Sequence, residues 1–475
     1  MRLRQVEVAA LVPQRLETLV GAERSEQFER TAAAARDVLA GRRVLNVNST
    51  ARGGGVAELL QTLLAYARGV GVDARWVVID CDASFLEITK RIHNGLYGAP
   101  GDGGLLGPSA HWRYEETMRR NAEDLASLVR KGDIVILHDP QTAGLADAAR
   151  AAGATVVWRC HVGCDTPNQY TEEAWAFVRP YVADVDAYVF TRAEFAPAWV
   201  DPTRLYVIPP SIDPFSAKNQ PMDEATTRGI LQYVGLLSGQ GDPPTVSFFR
   251  RDGSPGRIDR AVDILQTGPP PPPQAPLVVQ VSRWDRMKDM TGVLRGFAEH
   301  LHADRDVHLA LVGPAVHGVD DDPEAGQVLD ECVDAWRELP HAMRSRVHLA
   351  CVPMHDPDEA AMIVNALQRH ASVVTQKSLA EGFGLTVTEA MWKRRPIVAS
   401  RVGGIVDQIN DHQHGLLIDD PTDLHAFGRA VRVLLDDPVL ADTLAGSAHQ
   451  RALEEFLGDR HLERFAELFV ALSAP

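Results

Sequence analysis

Two carboxylates, a glycine turn and a few cations are the residues of this 475-residue chain whose types and spacing could do chemistry. Glu381 and Glu389 stand eight positions apart in Ser378–Trp392, SLAEGFGLTVTEAMW. Between them Gly382-Phe383-Gly384 is too flexible to continue a regular element cheaply. The apolar run Ala390-Met391-Trp392 then predicts a helix. A glycine turn feeding a helix N-terminus presents unpaired N–H groups and a positive dipole end, which suits an anion such as phosphate. Carboxylates there make sense only if they face neutral hydroxyls, as on a sugar and a ribose. The alternative is purely structural: Thr386-x-x-Glu389 has the spacing of a capping box, and Ser378-x-x-Glu381 fits less well. On one straight helix the two carboxylates would lie ~12 Å apart. A glycosidase pair needs roughly 5–9.5 Å, which disfavours that chemistry.

The other candidates sit after short apolar runs. Arg283 and Lys288 follow Leu277–Val281 and could hold a diphosphate, the arginine bidentately and the lysine as a point charge. Alone, two basic residues in a loop are equally a solvated turn. Gly53-Gly54-Gly55 follows Arg43–Asn48 and precedes an apolar helical pattern over Val56–Tyr66. It is not the dinucleotide fingerprint, and by itself reads as a tight strand-to-helix turn. Asp139 follows Ile134–Leu137, and His161 follows Val156–Trp158. Polar residues recurring at the carboxyl ends of strands mark the edge where open α/β sheets bind ligands. A hydrogen-bonded turn histidine is the plain alternative for His161.

Strand and helix patterns alternate throughout. Strands are expected at 76–79, 188–190, 206–208, 277–281, 308–312, 347–352, 372–375 and 396–399. Residues 1–41 read as helices. The polar segment around Lys90-Arg91-Ile92-His93-Asn94, with the glycine-rich Gly98–Gly107, reads as a loop, mobile or merely superficial. Ser211–Gln220 reads as a linker, Gly239–Pro255 as polar and broken, and Pro269–Pro273 as a stiff spacer. The length suits two domains, 1–213 and 214–456, with the amphipathic 457–475 packing back on the first.

Composition narrows the class. The chain is 45% hydrophobic and 24% charged, with a formal net charge of −16, which argues against nucleic acid or an anionic membrane as partner. Five scattered cysteines suggest a reducing compartment. Cys160-His161-x-x-Cys164 lacks a fourth ligand nearby, and Asp184-x-Asp186 precedes its strand, so no metal is expected. No run approaches ~20 apolar residues and no signal-peptide core is visible. A cytoplasmic protein is expected, and a homodimer is compatible with this reading.

E-G-F-G-L-T-V-T-E resembles the E-x(7)-E signature of retaining glycosyltransferases of family 4 with the GT-B fold. Val364-Asn365-Ala366, Val402-Gly403-Gly404-Ile405, Ser282–Asp289 (S-R-W-D-x-x-K-D), I-T-K-x-x-H-N at 88–94, and Asn48–Glu58 resemble the trehalose glycosyltransferring synthases. That resemblance implies an α/β protein of two doubly wound, Rossmann-like domains facing across a cleft, the acceptor on the first and the donor on the second. It implies transfer of glucose from a nucleotide-activated glucose (ADP- or UDP-glucose) to glucose, giving α,α-trehalose with retention, reversibly and without cofactor or metal. Arg283, Lys288 and the Gly54 and Gly55 amides would hold the diphosphate. Glu381, Gly382, Phe383, Gly384, Leu385 and Thr386 would meet the donor, Glu381 at the sugar hydroxyls, and Glu389 would meet the ribose. His161 would lie by the reacting face, and Asp139 and Gly55 would meet the acceptor. The leaving phosphate oxygen would itself take the acceptor's proton. A trehalose phosphorylase, a sugar-nucleotide 2-epimerase and a non-catalytic nucleotide-sugar sensor remain alternatives.

Overall fold

A computed structural model describes residues 3–51, 54–239, 246–250, 253–301, 306–316 and 324–473. Arg52 and Gly53 of the expected first loop, and part of the 239–255 stretch, lie outside the described residues. The chain divides into two compact units, Met1–Ser211 with Phe456–Pro475, and Ile212–Glu455.

The first unit is built on a seven-stranded sheet: β1 (Arg4–Val6), β2 (Val44–Asn48), β3 (Ala74–Val78), β4 (Ile134–His138), β5 (Thr155–Cys160), β6 (Ala187–Phe190) and β7 (Leu205–Val207). Their order is β1-β3-β2-β4-β5-β6-β7, and all pairings but β1 with β3 are parallel. Every residue of β2 and β4 is buried, as parallel strands covered on both faces require. The strand order reverses between β2 and β4. At such a switch point the loops diverge to opposite faces and leave a crevice at the carboxyl ends. Asn48–Gly55, Asp139 and His161 all follow strands at or next to that reversal.

The second unit has β10 (Asp263–Leu265), β11 (Leu277–Val281), β12 (His308–Pro314), β13 (Val347–Val352), β14 (Val373–Gln376), β15 (Ile397–Ser400) and β16 (Leu416–Ile418), in the order β10-β13-β12-β11-β14-β15-β16. Only β10 is antiparallel. Its reversal lies between β11 and β14, which are followed by Ser282–Lys288 and by Lys377–Glu381. These are two doubly wound α/β units, as the alternation of patterns predicts.

Several local readings are corrected. Residues 1–41 are not wholly helical, because β1 pairs along the edge of β3 before the helix Ala22–Val38. The segment containing Lys90 and Arg91 is not a loop but a helix, Ala83–Leu96, capped by the Asp82 carboxylate at the Phe85 N–H. Its Phe85, Ile88, Ile92 and Leu96 face the core at helical spacing, and the intervening charges masked that period. Arg91 ties the following glycine-rich loop down through Asp102, at 2.6 and 2.8 Å. The polar stretch after 239 contains a small hairpin, β8 (Ser247–Phe249) with β9 (Pro255–Arg257). The supposed linker is built into the second unit. Asp213, Ser216 and Asn219 are buried, and Asn219 receives the Lys393 ammonium at 2.9 Å.

The closing helix, Gly458–Ser473, packs on the helix Ala22–Val38. Arg24 Nε meets Asp459 Oδ2 at 2.6 Å, with the carboxylate 2% exposed. A negative charge in a helix's first turn also faces the positive end of the dipole.

Candidate functional site

In the second unit the site is organised by the turn after β11. Trp284 is fully buried and donates to the Pro314 carbonyl at 3.0 Å, which anchors the turn. Asp285 caps the short 3-10 turn Arg286–Lys288 through the Met287 N–H at 2.8 Å and holds Arg283 at 3.0 Å. Asp289 adopts a left-handed backbone, φ 48°, and caps the helix Met290–His300 at Gly292 N. A Cβ at Gly292 would come within 2.1 Å of that carboxylate, so a larger residue there would push the cap aside. The result points Lys288 toward the end of β14. Its ammonium meets both oxygens of Glu381, at 2.7 and 2.6 Å.

Glu381 is mostly buried and also accepts from Ser378 Oγ at 3.1 Å and Gln376 Nε2 at 3.4 Å. Its backbone is pinned by a close approach: a Cβ on Gly403, itself at φ 51°, would fall 1.6 Å from the Glu381 carbonyl oxygen. A Cβ on Gly404 would fall 2.6 Å from Phe383 Cα and 2.7 Å from the Gly382 carbonyl oxygen. Gly384 is left-handed at φ 87° and opens the helix Leu385–Trp392. Gly382, Phe383 and Gly384 are buried, whereas Leu385 and Thr386 are partly exposed.

The capping-box alternative fails here. Gly384, not Thr386, is the N-cap, with no side-chain cap, and Thr386 donates instead to Gln376 Oε1 at 2.8 Å. Glu389 therefore sits in the second turn of its helix, not the first. It is 2% exposed, and the Lys218 ammonium lies 3.5 Å from its Oε1. Sequence reasoning placed neither Lys218 nor Gln376 at the site. Lys218 had no signal, since it lies in what reads as a linker, whereas Gln376 ends a strand at the switch point and was findable by that rule.

In the first unit the structure brings together the ends of β4 and β5. Asp139 adopts φ 61°, a left-handed conformation that aspartate tolerates better than most residues. There its Oδ1 accepts from the His161 backbone N–H at 2.7 Å. His161 Nε2 meets His138 Nδ1 at 3.2 Å. Arg159, 1% exposed at the end of β5, contacts His461 Nε2 at 3.1 Å. Burial, then the Arg159 charge, holds both His138 and His161 well below the ordinary imidazole value. Burial pushes Asp139 up to about 7, against the pull of the His161 N–H and Arg159. Arg159 itself is lowered to about 9 by burial. His138, Arg159 and His461 were not among the sequence candidates.

Gly54, at φ 73°, and Gly55 begin the helix Gly54–Gly69 and are exposed. Cys160 and Cys164 donate to separate carbonyls, Val162 O and Thr166 O. Among the described residues no group of three His, Cys, Asp or Glu could hold a metal ion, and no helix is long and apolar enough to cross a membrane.

Chemically, the second unit pairs a cation suited to phosphate with a carboxylate suited to hydroxyls. The first offers a neutral imidazole pair beside a carboxyl that titrates near neutrality.

Two family models match separate stretches of the chain. Residues 46–197 match the family described as "Trehalose synthase, N-terminal domain", and residues 265–451 match "Glycosyl transferases group 1". A trehalose synthase of Rubrobacter xylanophilus is 36% identical over 446 residues, covering 91% of each chain. A trehalose phosphorylase of Grifola frondosa is 24% identical over 428 residues, 86% of this chain but 54% of that one. Among solved structures, a UDP-forming α,α-trehalose-phosphate synthase from Burkholderia xenovorans, in complex with glucose-6-phosphate, superposes with a TM-score of 0.66 at 15% identity. The match covers 90% of this chain and all of that one, and shows the fold.

Proposed function

Because the chain belongs to the trehalose synthase family and is a GT-B glycosyltransferase of trehalose metabolism, we propose that it moves glucose from a nucleoside-diphosphate glucose to free glucose. The C1–O bond to the diphosphate breaks and a C1–O bond to the acceptor's anomeric hydroxyl forms on the same face. The acceptor's proton passes to the departing phosphate oxygen, and the products are α,α-trehalose and NDP. No nucleophile from the chain is required, and the reaction runs in both directions.

The observation that carries this reading is the contact of Lys288 with both oxygens of Glu381 at the switch point of the second unit. One group answers the diphosphate and the other the hydroxyls of the sugar attached to it. Arg283, held by Asp285, adds a second cation for the phosphate charge that grows as the bond breaks. Glu389 takes the ribose hydroxyls. In the first unit His161 and Asp139 bind the acceptor glucose, and the Gly54 and Gly55 amides offer donors at a helix N-terminus. The test is NMR analysis of products from glucose supplied with ADP-glucose, UDP-glucose or glucose 1-phosphate. Trehalose is expected from a nucleotide-glucose. Trehalose from glucose 1-phosphate alone would make the protein a phosphorylase and overturn the reading.

A further inference from the structure

Three polar side chains of the first unit form a hydrogen-bonded series from the interior of the sheet to its carboxyl edge. Asn46, in β2, is 2% exposed, and its Oδ1 lies 3.0 Å from His138 Nε2. His138 Nδ1 lies 3.2 Å from His161 Nε2, with the two rings nearly parallel at 12°. We propose that Asn46 fixes the tautomers of a neutral histidine pair, so that His161 carries its hydrogen on Nε2 and presents Nδ1 as a hydrogen-bond acceptor. Asn46 and His138 are then positioning residues for the transfer reaction. This rests on the reading that places His161 beside the acceptor sugar.

The assignment follows from donor and acceptor capacity. An amide oxygen only accepts, so His138 Nε2 carries the hydrogen. A neutral imidazole has one N–H, so His138 Nδ1 accepts, and the donor to it is His161 Nε2–H. The remaining nitrogen, His161 Nδ1, is left with a lone pair. No group among the described residues hydrogen-bonds it. His161 is partly exposed, and Nδ1 is not among the sealed polar atoms.

Neutrality is also built in. The charged and titratable groups facing the pair are Asp139, Arg159 and His461. The buried Arg159 charge acts on both rings and is held by His461 Nε2 and the Ile208 carbonyl, its guanidinium 5.0 Å from the Phe465 ring centre. It makes no salt bridge among the described residues, so its positive charge acts on the imidazoles uncompensated by direct contact. Asn46 lines an apolar pocket with Val44, Ile136, Leu462 and Phe465, where an unmatched amide oxygen would be costly. The hydrogen bond to His138 is thus hard to give up, and it sets the direction of every bond downstream. To a sugar hydroxyl, His161 Nδ1 can only be an acceptor.

The test is nitrogen-15 NMR of histidine-labelled protein, which reads each ring's tautomer directly. In the native protein His138 and His161 should both carry hydrogen on Nε2. Asn46→Asp keeps the shape but sets a carboxylate against His138 Nε2. His138 then holds two hydrogens and donates from Nδ1, and the His161 hydrogen moves to Nδ1. With its acceptor turned into a donor, kcat should fall roughly 10- to 100-fold, the scale of one hydrogen bond, while the KM for the donor stays within about twofold. Hydrogen on His161 Nδ1 in the native spectrum overturns the relay, and that measurement needs no variant to fold. Tautomers unmoved in Asn46→Asp overturn it as well, and both results leave the reading of His161 as a site residue standing. Reversed tautomers with native turnover, together with full activity in His161→Ala, overturn the positioning role and the placement of His161 by the sugar.

Discussion

Replacing Glu381 by glutamine should tighten the binding of nucleoside diphosphate while slowing transfer. Lys288 and Glu381 are 16% and 7% exposed at their side chains and touch at 2.6 Å. At an effective dielectric of ~20 two unit charges at that distance attract by about 6 kcal/mol, most of it offset by desolvation. A diphosphate that takes up Lys288 must share it with a carboxylate that repels the phosphate. A charged hydrogen bond is worth about 1.5–3 kcal/mol net. If roughly half of that is recovered when the carboxylate becomes an amide, ADP or UDP binds about 3- to 10-fold more tightly. The same change replaces a charged acceptor for the donor's sugar hydroxyls with a neutral amide oxygen and sets an NH2 donor beside it, so kcat falls by roughly 10- to 100-fold. Lys288→Met should weaken the same diphosphates by about 10- to 100-fold. Calorimetric titration of native protein and both variants with ADP and UDP measures each term. Loss of diphosphate affinity in Glu381→Gln as large as in Lys288→Met would refute the reasoning, since it would make the carboxylate a supporter of the phosphate site, not its competitor.

Glu389→Gln should raise the donor KM about 10-fold with little change in kcat, because a ribose contact remote from the reacting carbon is uniform binding; steady-state kinetics at saturating glucose that show an unchanged donor KM would refute the ribose role. Asp139 has its folded pKa raised to about 7 from an unfolded value near 3.9, so the folded protein holds a proton there across that window and this contribution to stability declines as pH rises from about 4 to 7. Asp139→Asn removes the slope and tolerates the same left-handed backbone, so urea melts should show it gaining on the native protein from pH 4 to 7 and level above; a pH-independent difference would refute this. Asp459→Ala removes two charged contacts, at 2.6 and 2.9 Å, from a mostly buried Arg24 and should cost about 1.5–3 kcal/mol of the first unit's stability, readable by denaturant melts. Turnover should persist in excess EDTA, since the groups proposed to hold the diphosphate are the side chains of Arg283 and Lys288; a complete, metal-reversible loss would count against it.

What could be read from the sequence followed burial. The almost wholly buried parallel strands β2, β4, β5 and β11–β15 announce themselves as short apolar runs, and their carboxyl ends point to Glu381, Lys288, Asp139 and His161 from the sequence alone. Edge strands β1 and β10 and the hairpin β8–β9 did not, because three residues with one covered face carry too little periodicity. The helix Ala83–Leu96 was hidden by its charged outer face. Thr386-x-x-Glu389 misled because a left-handed glycine ahead of it had already set the helix start. Contacts such as Lys218 with Glu389, or Arg159 with His461, join residues distant in the chain with no shared motif, so only the tertiary arrangement reveals them.

The first unit is closed by the last helix of the chain. Arg24 and Asp459, Arg42 and Ser473, and Arg159 and His461 all link its early residues to Gly458–Ser473. A ribosome therefore releases the whole of Ile212–Glu455 before the first unit has the piece that covers Phe28, Leu64 and Ala32. Until that piece is made, the first unit waits with an apolar seam open and Arg159 lacking its histidine. The newly made N-terminal half is thus the segment most in need of a chaperone, and a stop codon late in the message, far from every candidate site residue, would disable the half of the protein that was made first.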